Sequence, residues 1–403
     1  MMAVNKNNKL KTILNKNSIT FAVIGVLIQP FCFATSYDDQ LIEPTKKQLD
    51  NHASNKQAEP ISFLPIPTFI TEPAVGPGLG VVGLFFHGND KKPKKPVKEG
   101  STLPQSISIV GALATKNGTK GGAVGHVTFW DEDRIRYQGI LGYASVNLDF
   151  YNLSEIDALT PITLNIEGPA LLQNVKVRYD DSNFFFGAKQ MYRHVELSLA
   201  DNPFNRLPLP DGFVINHLDL EINTSGLGAI MEYDSRDNPL DPELGIDYTA
   251  EYMVYDQALG SDIDYSSLKI KALNYWALTD KSNLAFRIQY DSVNNKEEKP
   301  LPVYIPPSIR LRGVSASRYQ GLNVMVSELE ASYKITEKIK LNAFTGLGWA
   351  ADHFSDLSSS KTINTYGAGF RYLVDKHYGI RLGLDIAKGP EESAIYIQAG
   401  STW

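Results

Sequence analysis

From Ile61 to Trp403 one unit recurs: a run that alternates apolar and polar residues, then a turn rich in Gly, Asn, Asp or Pro. A period of two is the signature of a β-strand with two different faces. At the end of the sequence Ile395, Ile397, Ala399, Ser401 and Trp403 share one face, and Tyr396, Gln398, Gly400 and Thr402 the other. Upstream, Ile339, Leu341, Ala343, Thr345, Leu347 and Trp349 alternate with Lys340, Asn342, Phe344, Gly346 and Gly348. Ile246, Tyr248, Ala250, Tyr252 and Val254 alternate with Asp247, Thr249, Glu251 and Met253. An apolar face outward and a polar face inward is what lipid demands of a sheet, because every backbone group must pair internally. The pattern predicts an all-β chain, a transmembrane antiparallel barrel.

Counting the runs places strands at 61–72, 77–88, 105–117, 120–132, 134–151, 163–180, 182–200, 222–237, 245–257, 262–278, 282–294, 321–336, 339–352, 361–374, 378–388 and 393–403. That is sixteen, an even number, as bacterial single-chain barrels require. Fourteen is the nearest alternative count, and a large soluble β-sandwich is the rival architecture. Short turns such as 179–183 and 279–282 suit a periplasmic rim. Longer ones, 200–220 and 294–320, suit the outer rim.

The first 34 residues read as a signal peptide: four lysines (Lys6, Lys9, Lys11, Lys16) and no acid, then an apolar stretch from Ile19 to Phe31, then Cys32-Phe33-Ala34. Cleavage is expected after Ala34; lipidation at Cys32 is the lesser alternative. Residues 35–60 read as a flexible polar lead-in, too short for a domain. The barrel domain is expected over 61–403.

The formal charge is −6, and removing four lysines makes it more negative, which argues against a nucleic-acid partner. The lone Cys lies in the leader, so no disulfide is expected in the mature chain. Beyond the leader no apolar run is long enough for a membrane-spanning helix.

Several segments carry more specific information. Gly78-Leu79-Gly80-Val81-Val82-Gly83 matches a dinucleotide fingerprint, but Leu84-Phe85-Phe86-His87 continues as strand rather than opening a helix, so the glycines read as a lean strand. Asp131-Glu132-Asp133 reads as solvated turn acids. Lys91-Lys92-Pro93-Lys94-Lys95-Pro96-Val97-Lys98 reads as a periplasmic turn, with contact to anionic headgroups as the lesser alternative. Pro65 and Pro67 lie two apart in the first strand, so two N–H donors are missing toward one neighbour. We expect that neighbour to be strand 16, leaving a weak seam between Pro65, Pro67 and the strand ending on Trp403. The bland rival is a frayed strand end. The seven histidines show no metal-ligand spacing, and neither a Gly-x-Ser-x-Gly elbow nor a Walker loop occurs. No cofactor, metal or catalytic residue is expected.

Asp234-Ser235-Arg236-Asp237-Asn238-Pro239-Leu240-Asp241-Pro242-Glu243-Leu244-Gly245 has the chemistry of a turn: Asp and Asn cap amides, Pro fixes φ and Gly245 permits strand re-entry. It resembles the Asp-x-Arg-Asp-Asn…Pro…Gly turn of the BamA/TamA (bacterial surface antigen) superfamily. Ile309-Arg310-Leu311-Arg312-Gly313-Val314 is similar to that family's Val-Arg-Gly-Phe/Tyr loop, Arg318-Tyr319-Gln320-Gly321 to Tyr-Arg-Gly, Glu330 to Ile335 to Glu-Leu-Arg-Tyr-Pro-Ile, Phe344 to Gly348 to Phe-x-Asp-x-Gly, and Thr71 to Gly80 to its first hairpin. The resemblance covers about Ile61 to Trp403. It implies a sixteen-stranded barrel with a long lumen-plugging loop before strand 12, and a short member lacking POTRA domains, which 35–60 cannot hold.

In that family the loop arginine pairs with an inward acid. Here the usual acid position is Gly346, so alternation of strand 12 nominates Glu328 or Glu330 as the partner of Arg312 beside Gly313. The resemblance implies a function in inserting or translocating protein or lipid at the outer membrane of a Gram-negative bacterium. The expected partners are outer-membrane lipids, the barrel-assembly machinery for its own insertion, and a periplasmic client or adaptor. A passive porin is the alternative, and an outer-membrane hydrolase ranks lowest.

Overall fold

The computed structural model describes residues 63–70, 74–87, 106–131, 133–153, 156–200, 220–238, 241–297, 300–375, 380–399 and 403. The segments that the sequence reads as a leader and a lead-in, 1–34 and 35–60, and the lysine run at 91–98 lie outside them. Alternating runs become strands wherever turn chemistry stops them. They are β1 (Phe63–Ile70), β2 (Gly78–His87), β3 (Ser106–Thr115), β4 (Lys120–Trp130), β5 (Ile135–Leu153), β6 (Ile156–Arg178), β7 (Phe184–Leu199), β8 (Leu220–Asp234), β9 (Gly245–Tyr255), β10 (Tyr265–Ala277), β11 (Ser282–Asn295), β12 (Asn323–Lys334), β13 (Ile339–Ala351), β14 (Ile363–Asp375), β15 (Ile380–Lys388) and β16 (Ser393–Ala399). They form one sixteen-stranded antiparallel sheet in sequence order, β1 through β16, a nearly closed barrel. The largest departure from the sequence pattern is β5–β6. The hairpin runs on to Leu153 and Ile156 across a register shift at Phe150/Asn152, where the pattern predicts a loop.

The alternation decides which face meets which solvent. On β13 Lys340, Asn342 and Phe344 are buried inward while Ile339, Leu341 and Leu347 are exposed outward. On β9 Asp247 and Thr249 face inward, and Tyr248 and Tyr252 outward. Trp130, Tyr179, Phe184, Trp276 and Tyr333 are exposed around the rim where β1 begins and β16 ends. Such an aromatic girdle is expected where a barrel wall crosses from lipid to water.

Among the described residues no ladder joins β1 to β16. Leu382 has the outward parity of Ile386 on β15. It nonetheless packs against the inward apolar cluster of Leu64, Ile66, Leu84 and Phe86. The last hairpin therefore overlaps the β1 edge from the inside.

Candidate functional site

Glu328 and Glu330 lie two apart on β12, so the pleat points both into the lumen, as it points Leu329 and Ala331 out. Asp385 and Arg371 enter from β15 and β14 by the same rule. Between them sits Arg312, carried by the long connection from β11 to β12. Its Nε is 3.2 Å from Glu328 Oε1, and its Nη1 is 2.6 Å from Glu330 Oε2 and 3.0 Å from Asp385 Oδ2. Arg371 grips Asp385 with both Nη atoms, at 2.6 and 2.9 Å. Arg287, on β11, is 3.2 Å from Glu328 Oε2 and donates at 2.9 Å to the Arg310 carbonyl. Three guanidiniums thus face three carboxylates, which offsets the cost of holding all six charges inside a wall. The guanidinium carbon of Arg312 lies 3.3 Å from the centroid of the Phe344 ring, a cation–π contact.

The backbone around Arg312 is fitted as closely as its side chain. Gly313 adopts φ +91°, and its N–H donates to Tyr396 Oη at 2.7 Å. Gly346, where the resemblance in the sequence leads one to expect an acid, is needed open. A Cβ there would stand 2.9 Å from Glu328 Cγ and 2.9 Å from Leu311 Cδ2. The same connection reaches the far wall: Ser317 Oγ donates to the Asp149 carbonyl of β5 at 3.1 Å, and Ile305 packs with Met253, Tyr255 and Tyr265. At the loop-side rim Ser315 N–H donates to Glu392 at 3.1 Å, and Tyr319 bonds Glu391. Burial pushes the Tyr319 hydroxyl up to about 12, and the carboxylate that it bonds adds to the shift.

Alternation predicts Trp403 on the outward face, continuing Ile395 and Ile397. It is instead turned into the lumen, where its Nε1 donates to Glu328 Oε2 at 2.8 Å. Trp403 itself lies outside β16, so the pleat does not dictate its direction, and an indole N–H facing lipid would have no acceptor. Pro65 and Pro67 are exposed on the outward face beside Phe63 and Phe69, and the β1–β2 register runs through both without a shift.

A second charged cluster occupies the rim where β1 begins. Asp133 reads in the sequence as a solvated turn acid. In the fold it is buried and takes both Nε and Nη2 of Arg136 at 2.7 Å. Arg136 also reaches Glu232 at 3.1 Å and Asp234 at 3.2 Å, stacked 3.8 Å above the Phe185 ring. Asp234 holds Arg236 Nε at 3.1 Å, and Arg236 Nη2 lies 3.3 Å from Asp247. The turn after Asp234 is pinned by Asp237, whose Oδ1 accepts from the N–H groups of Asn238, Glu243 and Leu244. Gly245, at φ +104°, closes it where a Cβ would stand 2.3 Å from the Ser235 carbonyl oxygen. The turn then folds under the lumen: Asp241 bonds Lys340 at 2.8 Å and Arg381 at 2.5 Å, and Glu243 bonds Lys334 at 2.6 Å. Asp241, Lys340, Arg371, Glu330 and Trp403 line one cavity between this turn and the Arg312 cluster.

No group of metal-ligating side chains occurs among the described residues. No family model matches the sequence. No curated protein matches it either. Similar folds occur among solved structures. BamA from Haemophilus ducreyi lacking POTRA domains 1–3 matches at a TM-score of 0.53 and 14% identity, over 84% of this chain and 69% of that one. CdiB from Escherichia coli matches at 0.55 and 12%, over 84% and 61%. CdiB from Acinetobacter baumannii matches at 0.50 and 11%, over 81% and 55%. The matched region thus spans somewhat more than half of each CdiB chain. Sixteen strands in sequence order and this likeness together give the chain the fold of a BamA-like outer-membrane barrel.

Proposed function

We propose that the chain sits in the outer membrane, with the rim where β1 begins toward the periplasm, and assists insertion or translocation of protein or lipid there. The observation that carries this reading is the β1–β16 junction. Every other neighbouring pair of strands is laddered, while among the described residues no ladder joins β1 to β16, and Leu382 of β15 packs on the inward cluster that Leu64 and Ile66 of β1 belong to. Such a junction separates at far lower cost than a laddered one. Pro65 and Pro67 fit it, because their missing donors weaken the β1 edge without disturbing pairing to β2. Arg312, Gly313, Glu328 and Glu330 serve as the lock of a loop that plugs the lumen, and Asp234, Arg236, Asp237, Asn238 and Gly245 as a rigid floor turn. The BamA and CdiB folds give the reading its class; the client, a periplasmic adaptor and use of the barrel-assembly machinery for insertion belong to the same proposal.

The test compares the outer-membrane protein and lipid inventory with and without the chain, alongside planar-bilayer conductance. Loss of particular proteins or lipids, with small flickering conductance that rises on deleting 300–320, is the expected result. Steady, sized pores with an unchanged inventory would make it a passive channel. Hydrolysis in a detergent assay would make it an enzyme.

A further inference from the structure

Apart from Lys120 at the far end of β4, the outward wall of β2–β4 is polar only near the rim where β1 begins. There His87 Nε2 lies 2.8 Å from Ser108 Oγ, and the same oxygen lies 2.9 Å from His126 Nδ1. The two imidazole centroids are 6.0 Å apart, and His87 is exposed. Phe85, Val110 and Val124 surround the trio on the same face, and one step toward the rim Trp130 stacks on Tyr137. Polar side chains at this depth of a barrel wall are costly unless something at the interface meets them.

The hydroxyl bridge fixes what the trio can meet. Ser108 has one proton. It donates to one imidazole, which then carries its own proton on its remote nitrogen, and it accepts from the other, whose remote nitrogen is left bare. The neutral trio therefore presents one donor and one lone pair, never two lone pairs, which disfavours a chelated metal ion. One added proton changes this. Both remote nitrogens, Nδ1 of His87 and Nε2 of His126, then carry hydrogens, and the trio becomes a two-donor monocation. That is complementary to a phosphodiester monoanion. Nothing within the first four strands competes for the role of counterion, since β1 to β4 contain no Asp or Glu. The only titratable neighbour on β5 is Tyr137, which donates to Gln173, and the basic groups of β1–β4 are limited to Lys120 at the far end of β4.

We propose that His87, Ser108 and His126 form a binding site for the phosphodiester headgroup of a glycerophospholipid in the leaflet at this rim, with Trp130 and Tyr137 flanking the glycerol. The proposal rests on the outer-membrane reading, and its test is independent of any transport assay.

The full barrel is purified in a phosphate-free sugar detergent, offered dioleoylphosphatidylglycerol or phosphate-free dioleoylglycerol, and retained lipid is counted by native mass spectrometry at about pH 5.5 and about pH 8.5. Retention of phosphatidylglycerol, stronger at the lower pH and weakened roughly tenfold in both His87→Gln and His126→Gln, is expected. Gln keeps a hydrogen-bonding group but takes no proton, and the heat-shifted gel mobility of each variant checks folding. Ser108→Ala is expected to flatten the pH dependence. Equal retention of dioleoylglycerol, retention unchanged in both variants, displacement by inorganic phosphate alone, or Zn2+ bound at these histidines would each overturn the proposal.

Discussion

Gly313 and Gly389 meet backbone to backbone: a Cβ on Gly389 would stand 2.0 Å from the Gly313 carbonyl oxygen, and one on Gly313 2.8 Å from the Gly389 amide nitrogen. The contact presses the Arg312 segment against the β15–β16 turn. Gly313 needs its positive φ as well as the space, so Gly313→Ala suffers on two counts and Gly389→Ala on one. Both should unseat the loop, by about 1–3 kcal/mol. Limited proteolysis within 300–320 should appear in both variants and be faster in Gly313→Ala. Resistance equal to the parent in both would disprove this fit.

Removing Arg312 takes from Glu328, Glu330 and Asp385 the cation they share, and leaves the three buried carboxylates to the two guanidiniums of Arg287 and Arg371. Breaking a buried pair from one side costs about 3–5 kcal/mol. Arg312→Ala should therefore lower the temperature at which the folded gel band converts to the unfolded one by many degrees. Arg312→Lys should recover little, because one ammonium cannot reproduce a fork that meets three carboxylates at once. Adding Glu330→Gln to Arg312→Ala should restore part of the loss by removing one carboxylate charge left in excess. A double variant no better than the single would mean that charge is not what the arginine balances.

How much of this cluster is legible in the sequence depends on distance along the chain. Alternation on β12 alone selects Glu328 and Glu330 as inward. The cluster also needs Asp385 and Arg371, and no local pattern says that a loop at position 312 reaches a strand 73 residues onward. Asp133 escapes a sequence reading for a related reason. A turn acid is usually solvated; Arg136 is only three residues on, but Arg178 of β6 must come to Asp133, and Glu232 and Asp234 of β8 to Arg136, before the acid is buried in a cluster. Trp403 marks the other boundary, since alternation predicts a side chain's face only while the ladder lasts. Strand existence is legible nearly everywhere, because lipid outside and water inside impose the period on every run.

Trp403 ties the last residue of the sequence to Glu328, the carboxylate that Arg312 and Arg287 also hold. Trp403→Phe keeps the ring and deletes the donor. The loss should be about 1.5–3 kcal/mol, the range for a hydrogen bond to a charged group. If β16 and the loop share this anchor, a cysteine pair joining β1 to β16 should cross-link faster in Trp403→Phe than in the parent. Unchanged cross-linking rates would separate the two elements.

Asp237 supplies a pH test at the floor turn, outside the spanning strands. Burial pushes its carboxyl above the ordinary carboxylate range, although three backbone N–H groups pull the other way. A carboxyl raised in the folded state contributes stability below its unfolded pKa and loses it as pH rises through the folded value. The turn should thus be tighter in mild acid than at neutral pH, opposite to the usual salt-bridged aspartate. Asp237→Asn keeps an acceptor oxygen for the three amides and removes the buried charge. It should leave the neutral-pH melting temperature equal or a few degrees higher, and abolish the slope at the acidic end. Asp237→Ala should lower it at every pH, because three amides lose their acceptor at about 1 kcal/mol each. Hydrogen exchange at the Glu243 and Leu244 amides across that range reads the turn directly, and slower exchange at neutral than at acidic pH, after correction for intrinsic rates, would reverse the assigned sign.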